Sequence, residues 1–193
     1  MNRRTLLAME LAVAALVVPT LLPSRPRLVW NASSSVPTGL YWIEPATQLL
    51  PGERLAVRLP APWSTLMARR GYLPAGVPLI KPLAAAAGTR VCRFGPEVTI
   101  AGRPVAVARA RDRIGRPLPV WSGCVSLARD QLFLLAPARG DSVDSRYFGP
   151  VPRSAVFGVA HPVWTDERGT GQRVWFAAGA SPPPLSPLPR MRP

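Results

Sequence analysis

Residues 5–22 are apolar at nearly every position, interrupted chiefly by Glu10, Pro19 and Thr20 and preceded by Arg3 and Arg4. A run of that length behind a basic start predicts a segment that enters a membrane: a retained anchor over 1–23, with a cleaved signal peptide as the alternative. Beyond it the apolar residues come in short runs bounded by turn formers. Strands are predicted at 55–59, 78–83, 89–93, 131–136 and 155–163, with a hairpin from 97–100 through Ala101-Gly102 into 105–107. One segment, 62–71, predicts a short helix. Residues 30–42 read as a serine-rich turn closed by Pro37 and Gly39 and flanked by aromatics suited to a membrane interface. A folded domain over 24–165 follows the anchor. Residues 166–193 read as a polar linker and a proline-rich tail that cannot build a core.

Twenty-five prolines and fifteen glycines among 193 residues disfavour long helices and strengthen an all-β reading, a barrel or sandwich behind the N-terminal helix. The net charge of +14 raises nucleic acid as a partner. Against it, the arginines are scattered among prolines and apolar residues, with no basic helix, zinc-finger spacing or RNA-binding aromatic signature, so no nucleic acid is expected. Arg3 and Arg4 put the N-terminus in the cytoplasm and the body across the membrane. Cys92 and Cys124 would then meet an oxidising compartment, where a bridge between them contributes about 3–4 kcal/mol. Without export they would be free buried thiols.

Of the 24 basic residues only Lys81 is a lysine, and it lies in the apolar run Gly76-Val-Pro-Leu-Ile-Lys-Pro-Leu83. Guanidinium keeps its proton at any accessible pH, so a function that needs a deprotonated amine has one place to find it. A free lysine titrates near 10.4, and burial among Leu79, Ile80, Pro82 and Leu83 would lower that value. The single histidine, His161, sits inside a predicted strand before a proline and reads as a packed or surface residue. Counting His and Cys excludes a metal site built from several of them; no phosphate-binding glycine loop is present, and no cofactor is implied. Serine with lysine remains.

With these residues in place, the chain resembles the TraF-type conjugal-transfer proteases of the type I signal peptidase superfamily. Three segments bear the resemblance. Asn31-Ala-Ser33-Ser-Ser35-Val-Pro37-Thr-Gly39-Leu-Tyr41 resembles the nucleophile box. Leu79-Ile80-Lys81 with Gly88-Thr89-Arg90-Val91 resembles the general-base strand and its turn. Asp141-Ser142-Val143-Asp144-Ser145-Arg146 with Tyr147-Phe148-Gly149-Pro150-Val151 resembles the Ser-x-Asp-Ser-Arg box. The sequence departs from the family at Pro82-Leu-Ala-Ala-Ala-Ala87, where Arg-Val is commoner, and at Gly88-Thr89, where Gly-Asp is usual.

The resemblance implies that Ser35 is the nucleophile and Lys81 its base, with Ser34 as the alternative nucleophile by the spacing of general signal peptidases. It further implies Ser33 as a hydroxyl donor to the oxyanion, Ser142 as the residue that orients Lys81, and Asp144 with Arg146 as a pair holding their loop against the lysine strand. The activity it implies is endopeptidase cleavage of an exported precursor, most directly a conjugative pilin, in some members with cyclisation. Membrane and other conjugative transfer proteins are the implied partners, and the catalytic domain would sit in the periplasm on the inner membrane. A general signal peptidase and a non-catalytic assembly subunit of the secretion channel are the competing expectations.

Overall fold

A computed structural model of the protein describes residues 2–21, 27–45 and 47–177, with the backbone alone at 15, 16 and 18–21. The proline-rich tail lies outside the described residues, as does the end of the predicted anchor. Helix α1 spans Arg3–Leu21. Among the described residues no helix is long and apolar enough to cross a membrane.

Central burial is set by β4 (Leu79–Ala85), almost every residue of which is enclosed on both faces. It pairs antiparallel with β3 (Arg54–Val57) along its first half and with β9 (Gln131–Leu134) along its second. Leu79, Lys81 and Leu83 alternate onto one face, where the two leucines join Leu55, Met67, Leu134 and Phe148 in the principal core. Ile80 points the other way, into a second cluster with Tyr41, Ile43 and Phe157.

The large sheet runs β1 (Leu28–Asn31), β2 (Thr38–Glu44), β11 (Val156–Asp166), β3, β4, β9 and β10 (Val151–Pro152), with β12 (Val174–Trp175) paired to β11. A smaller sheet orders β7 (Arg103–Val107), β6 (Glu97–Ile100), β5 (Arg90–Phe94) and β8 (Gly123–Ser126). The architecture is all-β, as the prolines and short apolar runs predict. The short helix appears as α2 (Trp63–Arg69), with Met67 buried.

Three segments differ from expectation. The serine-rich turn is the tip of a hairpin, because the residues on either side of it pair as β1 and β2 in register Asn31 to Gly39. Residues 166–177 are not a linker: β11 continues to Asp166, a turn is held by the Asp166 carboxylate accepting from the Thr170 and Gly171 amides, and Val174 returns opposite Thr165. A polar turn between two strands has the same composition as a linker. Finally, β11 keeps pairing through Pro162, which has no N–H to give, by shifting register between Pro162 and Trp164.

Cys92 and Cys124 stand opposite one another on β5 and β8 and are joined as a disulfide. Arg93, the next residue, is buried and donates to the carbonyls of Gly95, Pro119 and Arg146. These bonds fasten the small sheet to α3 (Ser145–Phe148), the element that follows Ser142 and Asp144.

Candidate active site

The turn between β1 and β2 is built on one side chain. Asn31 donates through Nδ2 to the carbonyls of Ser33 at 2.8 Å, Val36 at 3.2 Å and Pro37 at 3.0 Å, while its Oδ1 accepts from the Ser33 amide and hydroxyl. A buried asparagine that spends both ends on the loop closes it without a helix or ladder. Gly39 then lets β2 pass β11 closely: its φ of 139° suits glycine, and a Cβ there would run into the Trp164 carbonyl and Thr165.

Below the turn, Tyr41 is fully buried and donates to the Pro37 carbonyl at 2.7 Å. Burial pushes its phenol above the ordinary value, Arg54 opposing, so the hydroxyl keeps its proton. Arg54 stacks near the Tyr41 ring and meets Glu167 through two bonds, at 3.2 and 3.0 Å. Glu167 also accepts from Thr165 Oγ1 at 2.7 Å. Arg54 and Glu167 escape notice in the sequence because 113 positions separate them, and only β11, which pairs with both β2 and β3, brings them together. Replacing Glu167 by Gln removes the charge that fixes Arg54 under Tyr41. Because the pair is only partly enclosed, urea denaturation should show a loss of about 1 kcal/mol, and no loss would show that the turn does not depend on it.

Ser35, at the tip, is held opposite β4. Lys81 Nζ donates to Ser35 Oγ and, at 2.5 Å, to Ser142 Oγ; the two serine oxygens are 3.2 Å apart. Lys81 is 2% exposed, with Leu55 directly across from it in the β3–β4 register. Burial lowers its amine to about 8, with the Asp144 carboxylate raising it, Arg146 lowering it and Asp141 raising it. Ser34, the neighbouring serine, is exposed and borders the same cleft, without a bond to Lys81.

Ser142 comes from the loop before α3, which is locked by Asp144 and Arg146. The pair is sealed, at 0% and 1% exposure, with Nε to Oδ1 at 2.8 Å and Nη2 to Oδ2 at 3.0 Å. Asp144 also accepts from the Ala136 amide at 3.1 Å and caps α3 through the Arg146 amide, and Arg146 returns a bond to the Ala136 carbonyl at 2.8 Å. Ser145 Oγ accepts from the Leu134 amide at 3.0 Å. The bonds of the Asp144–Arg146 pair and of Ser145 run to β9 and its exit, β9 pairs with β4, and Ser142 of the same loop meets Lys81 of β4 directly.

Ser33 lies beside Ser35, but its hydroxyl hydrogen is given to Asn31 Oδ1 at 2.9 Å. His161 is on β11 opposite Trp42 of β2, half exposed and 3.3 Å from Glu44, and it does not line the cleft. No group of three metal-ligating side chains gathers among the described residues. The three hydroxyl and amine groups open into a cleft of about 530 Å³ floored by Met67, Leu79, Leu118 and Val143.

Residues 2–165 match the profile of the signal peptidase, peptidase S26 family, which covers most of the chain. The chain belongs to the S26 signal peptidase family. Within it the chain is TraF-type: it is 33% identical over 146 residues to the conjugal transfer protein TraF of Agrobacterium fabrum, a match spanning 70% of the chain and 81% of that protein. It is also 32% identical over 148 residues to a plasmid transfer protein TraF of Escherichia coli, with the same 70% and 81% coverage. A probable conjugal transfer protein TraF of Sinorhizobium fredii is 43% identical over 104 residues, 50% of the chain and 54% of that protein, so this match spans about half the relative's length. A signal peptidase I of Enterococcus faecalis aligns with 58% of the chain and 97% of its own at a TM-score of 0.35 and 20% identity. Membership of the family makes this S26-type chain a peptidase.

Proposed function

We propose that this TraF-type peptidase is a membrane-anchored serine endopeptidase in which Ser35 and Lys81 form the catalytic dyad. The observation that supports this most is the contact of the buried Lys81 amine with Ser35 Oγ. In the neutral amine, the nitrogen lone pair takes the Ser35 proton as Oγ bonds to the scissile carbonyl carbon; the resulting ammonium returns that proton to the departing amine. Water then attacks the acyl carbon, giving a proton to Lys81, which passes it to Ser35 Oγ as the ester C–O bond breaks and the product leaves with a new carboxylate. Ser142 keeps one N–H of the amine occupied, so that the lone pair faces Ser35. The oxyanion would meet the Ser35 amide, and the Ser33 hydroxyl once it turns from Asn31.

The substrate is an exported precursor bound in extended form, with a small residue before the scissile bond, and the conjugal transfer functions named for the relatives make a conjugative pilin precursor the leading choice. The protein sits on the inner membrane with this domain in the periplasm. Supporting that placement, Trp30, Leu40, Trp164 and Trp175 stand in register across β1, β2, β11 and β12, partly exposed, with Arg173 packed over two of the rings. A basic, aromatic face of this kind suits the headgroup layer.

The test is co-expression of the full chain with a conjugative pilin precursor, following precursor mass. Conversion should be lost in Ser35→Ala and kept in Ser34→Ala. Loss in Ser34→Ala instead moves the nucleophile by one position, and conversion in both variants overturns the proposal in favour of an assembly role.

A further inference from the structure

The rim of the cleft is unusually basic for a site read as holding a peptide. Arg70, after α2, and Arg109, Arg111, Arg113 and Arg116, from the arm between β7 and β8, all border it, together with Asp112 and Asp141. The arm is a small rigid hairpin. Arg111 bridges to Pro117, the Asp112 amide donates to the Arg116 carbonyl, and Asp112 Oδ1 accepts from the amides of Ile114 and Arg116.

Both carboxylates are already taken. Asp112 binds Arg116 Nε at 2.7 Å and accepts from the Tyr72 hydroxyl at 2.5 Å, while Asp141 pairs with Arg113. Among the described residues, Arg70 and Arg111 reach only carbonyls, those of Pro117 at 2.8 Å and Gly115 at 2.7 Å. Arg109 makes no direct ion pair among the described residues, although its charge acts on the Asp141 carboxylate that Arg113 binds. Five guanidinium groups against two carboxylates leave the rim with an excess of three positive charges, before Lys81 is counted. Stability does not require that excess, since repulsion among arginines around one opening is unfavourable; a ligand of opposite sign relieves it.

We infer that the cleft selects a precursor segment carrying Asp or Glu close to the cleaved bond, with small or apolar residues on the floor over Met67 and Leu118 and acidic side chains reaching Arg109, Arg111 and Arg70. The inference rests on reading this cleft as the substrate site. It deepens that reading by giving the substrate a charge, and it makes the neutral small-residue motif alone a poor substrate.

The probes are three labelled alanine-centred peptides identical but for two flanking positions, occupied by Glu, Gln or Lys, prepared with the pair before and after the central alanine. Binding is read by fluorescence anisotropy on the full-length Ser35→Ala protein in detergent, and cleavage on the unsubstituted protein. At about 50 mM salt the Glu peptide of at least one placement should bind roughly tenfold more tightly than the Gln peptide, and the ratio should fall several-fold at about 0.5 M salt. Arg109→Glu with Arg111→Glu, checked for an unchanged unfolding midpoint, should shift preference to the Lys peptide. A variant that does not fold is replaced by Arg109→Gln, which should narrow the Glu-to-Gln ratio.

Equal binding of Glu and Gln peptides in both placements overturns the inference, and it leaves the peptidase reading intact where those peptides are cleaved. Preferred binding of Glu peptides without any cleavage keeps the acidic selectivity and counts against the dyad. Tighter binding of a short oligothymidylate than of the Glu peptide also overturns the inference, since the rim would then be a phosphate site.

Discussion

Lys81→Met should abolish precursor processing and at the same time stabilise the fold. The catalytic loss follows from the geometry: without an amine at Ser35 Oγ nothing within bonding distance can take the proton, and removal of a general base lowers turnover by about 10²–10⁴-fold. The gain in stability follows from the same burial that tunes the base. Lys81 is held at about 8 in the folded chain instead of its ordinary 10.5, so below pH 8 the fold encloses a cation that the unfolded chain keeps in water. A shift of that size corresponds to a penalty of about 3 kcal/mol, undiminished below pH 8 and relieved as pH climbs toward 10.5, where both states are neutral. Methionine removes the penalty but also the bonds to Ser35 and Ser142, which lie close enough to bond each other. The net expectation is a rise of about 1–2 kcal/mol at pH 7 that shrinks toward pH 10.5. Lys81→Arg should be equally inactive yet less stable, because its charge cannot be shed. In the unsubstituted protein, processing should climb as pH passes about 8 and level off above it. Urea denaturation of the three proteins at two pH values, with a processing assay across pH, settles the matter. A flat pH profile, or a Lys81→Met protein that is active, removes Lys81 from the role of base.

How much of this was legible beforehand differs by residue for physical reasons. Lys81 stood out because an apolar run surrounded the sole lysine, and short-range hydrophobicity is what the linear chain records best. The strands near it, from 78–83 through 105–107, are recoverable because each is bounded by its own turn formers. By contrast β1 and β2 hide behind aromatic residues that face outward, so the alternation that identifies a strand shows apolar residues on both faces. Short elements such as β8 and β10 draw their identity from partners: β8 from the Cys92–Cys124 pairing and β10 from β9. The convergence of Ser35, Lys81 and Ser142 came from family resemblance, since the residues lie 46 and 61 positions apart. Arg54 and Glu167 had no such pointer, and a glutamate in a polar turn carries no local sign of its partner 113 residues earlier.

Asp144→Ala should be the most damaging substitution to stability, at about 3–5 kcal/mol, because it strands Arg146. Arg146 is 1% exposed, and with the carboxylate gone its guanidinium keeps only the carbonyls of Ala136 and Val107. Two backbone amides, those of Ala136 and Arg146, lose their acceptor as well, and the second of these caps α3. If the fault were only the missing hydrogen bonds, Asp144→Asn would recover nearly everything; if it is the unmatched charge, it would not. The double substitution Asp144→Asn with Arg146→Met separates the two. It retains one acceptor for the amides and removes the buried cation, so it should recover more than half of the loss, giving a strongly non-additive cycle in chemical denaturation. Additive single effects would mean that the pair is not energetically linked. The catalytic readout adds a second discriminant. Asp144 raises the Lys81 amine and Arg146 lowers it, so in a folded Asp144→Asn protein the unopposed guanidinium shifts the rising limb of the processing profile to lower pH. In the double variant both influences are gone, and the limb should move back toward its original position even though Ser142 sits in a repacked loop.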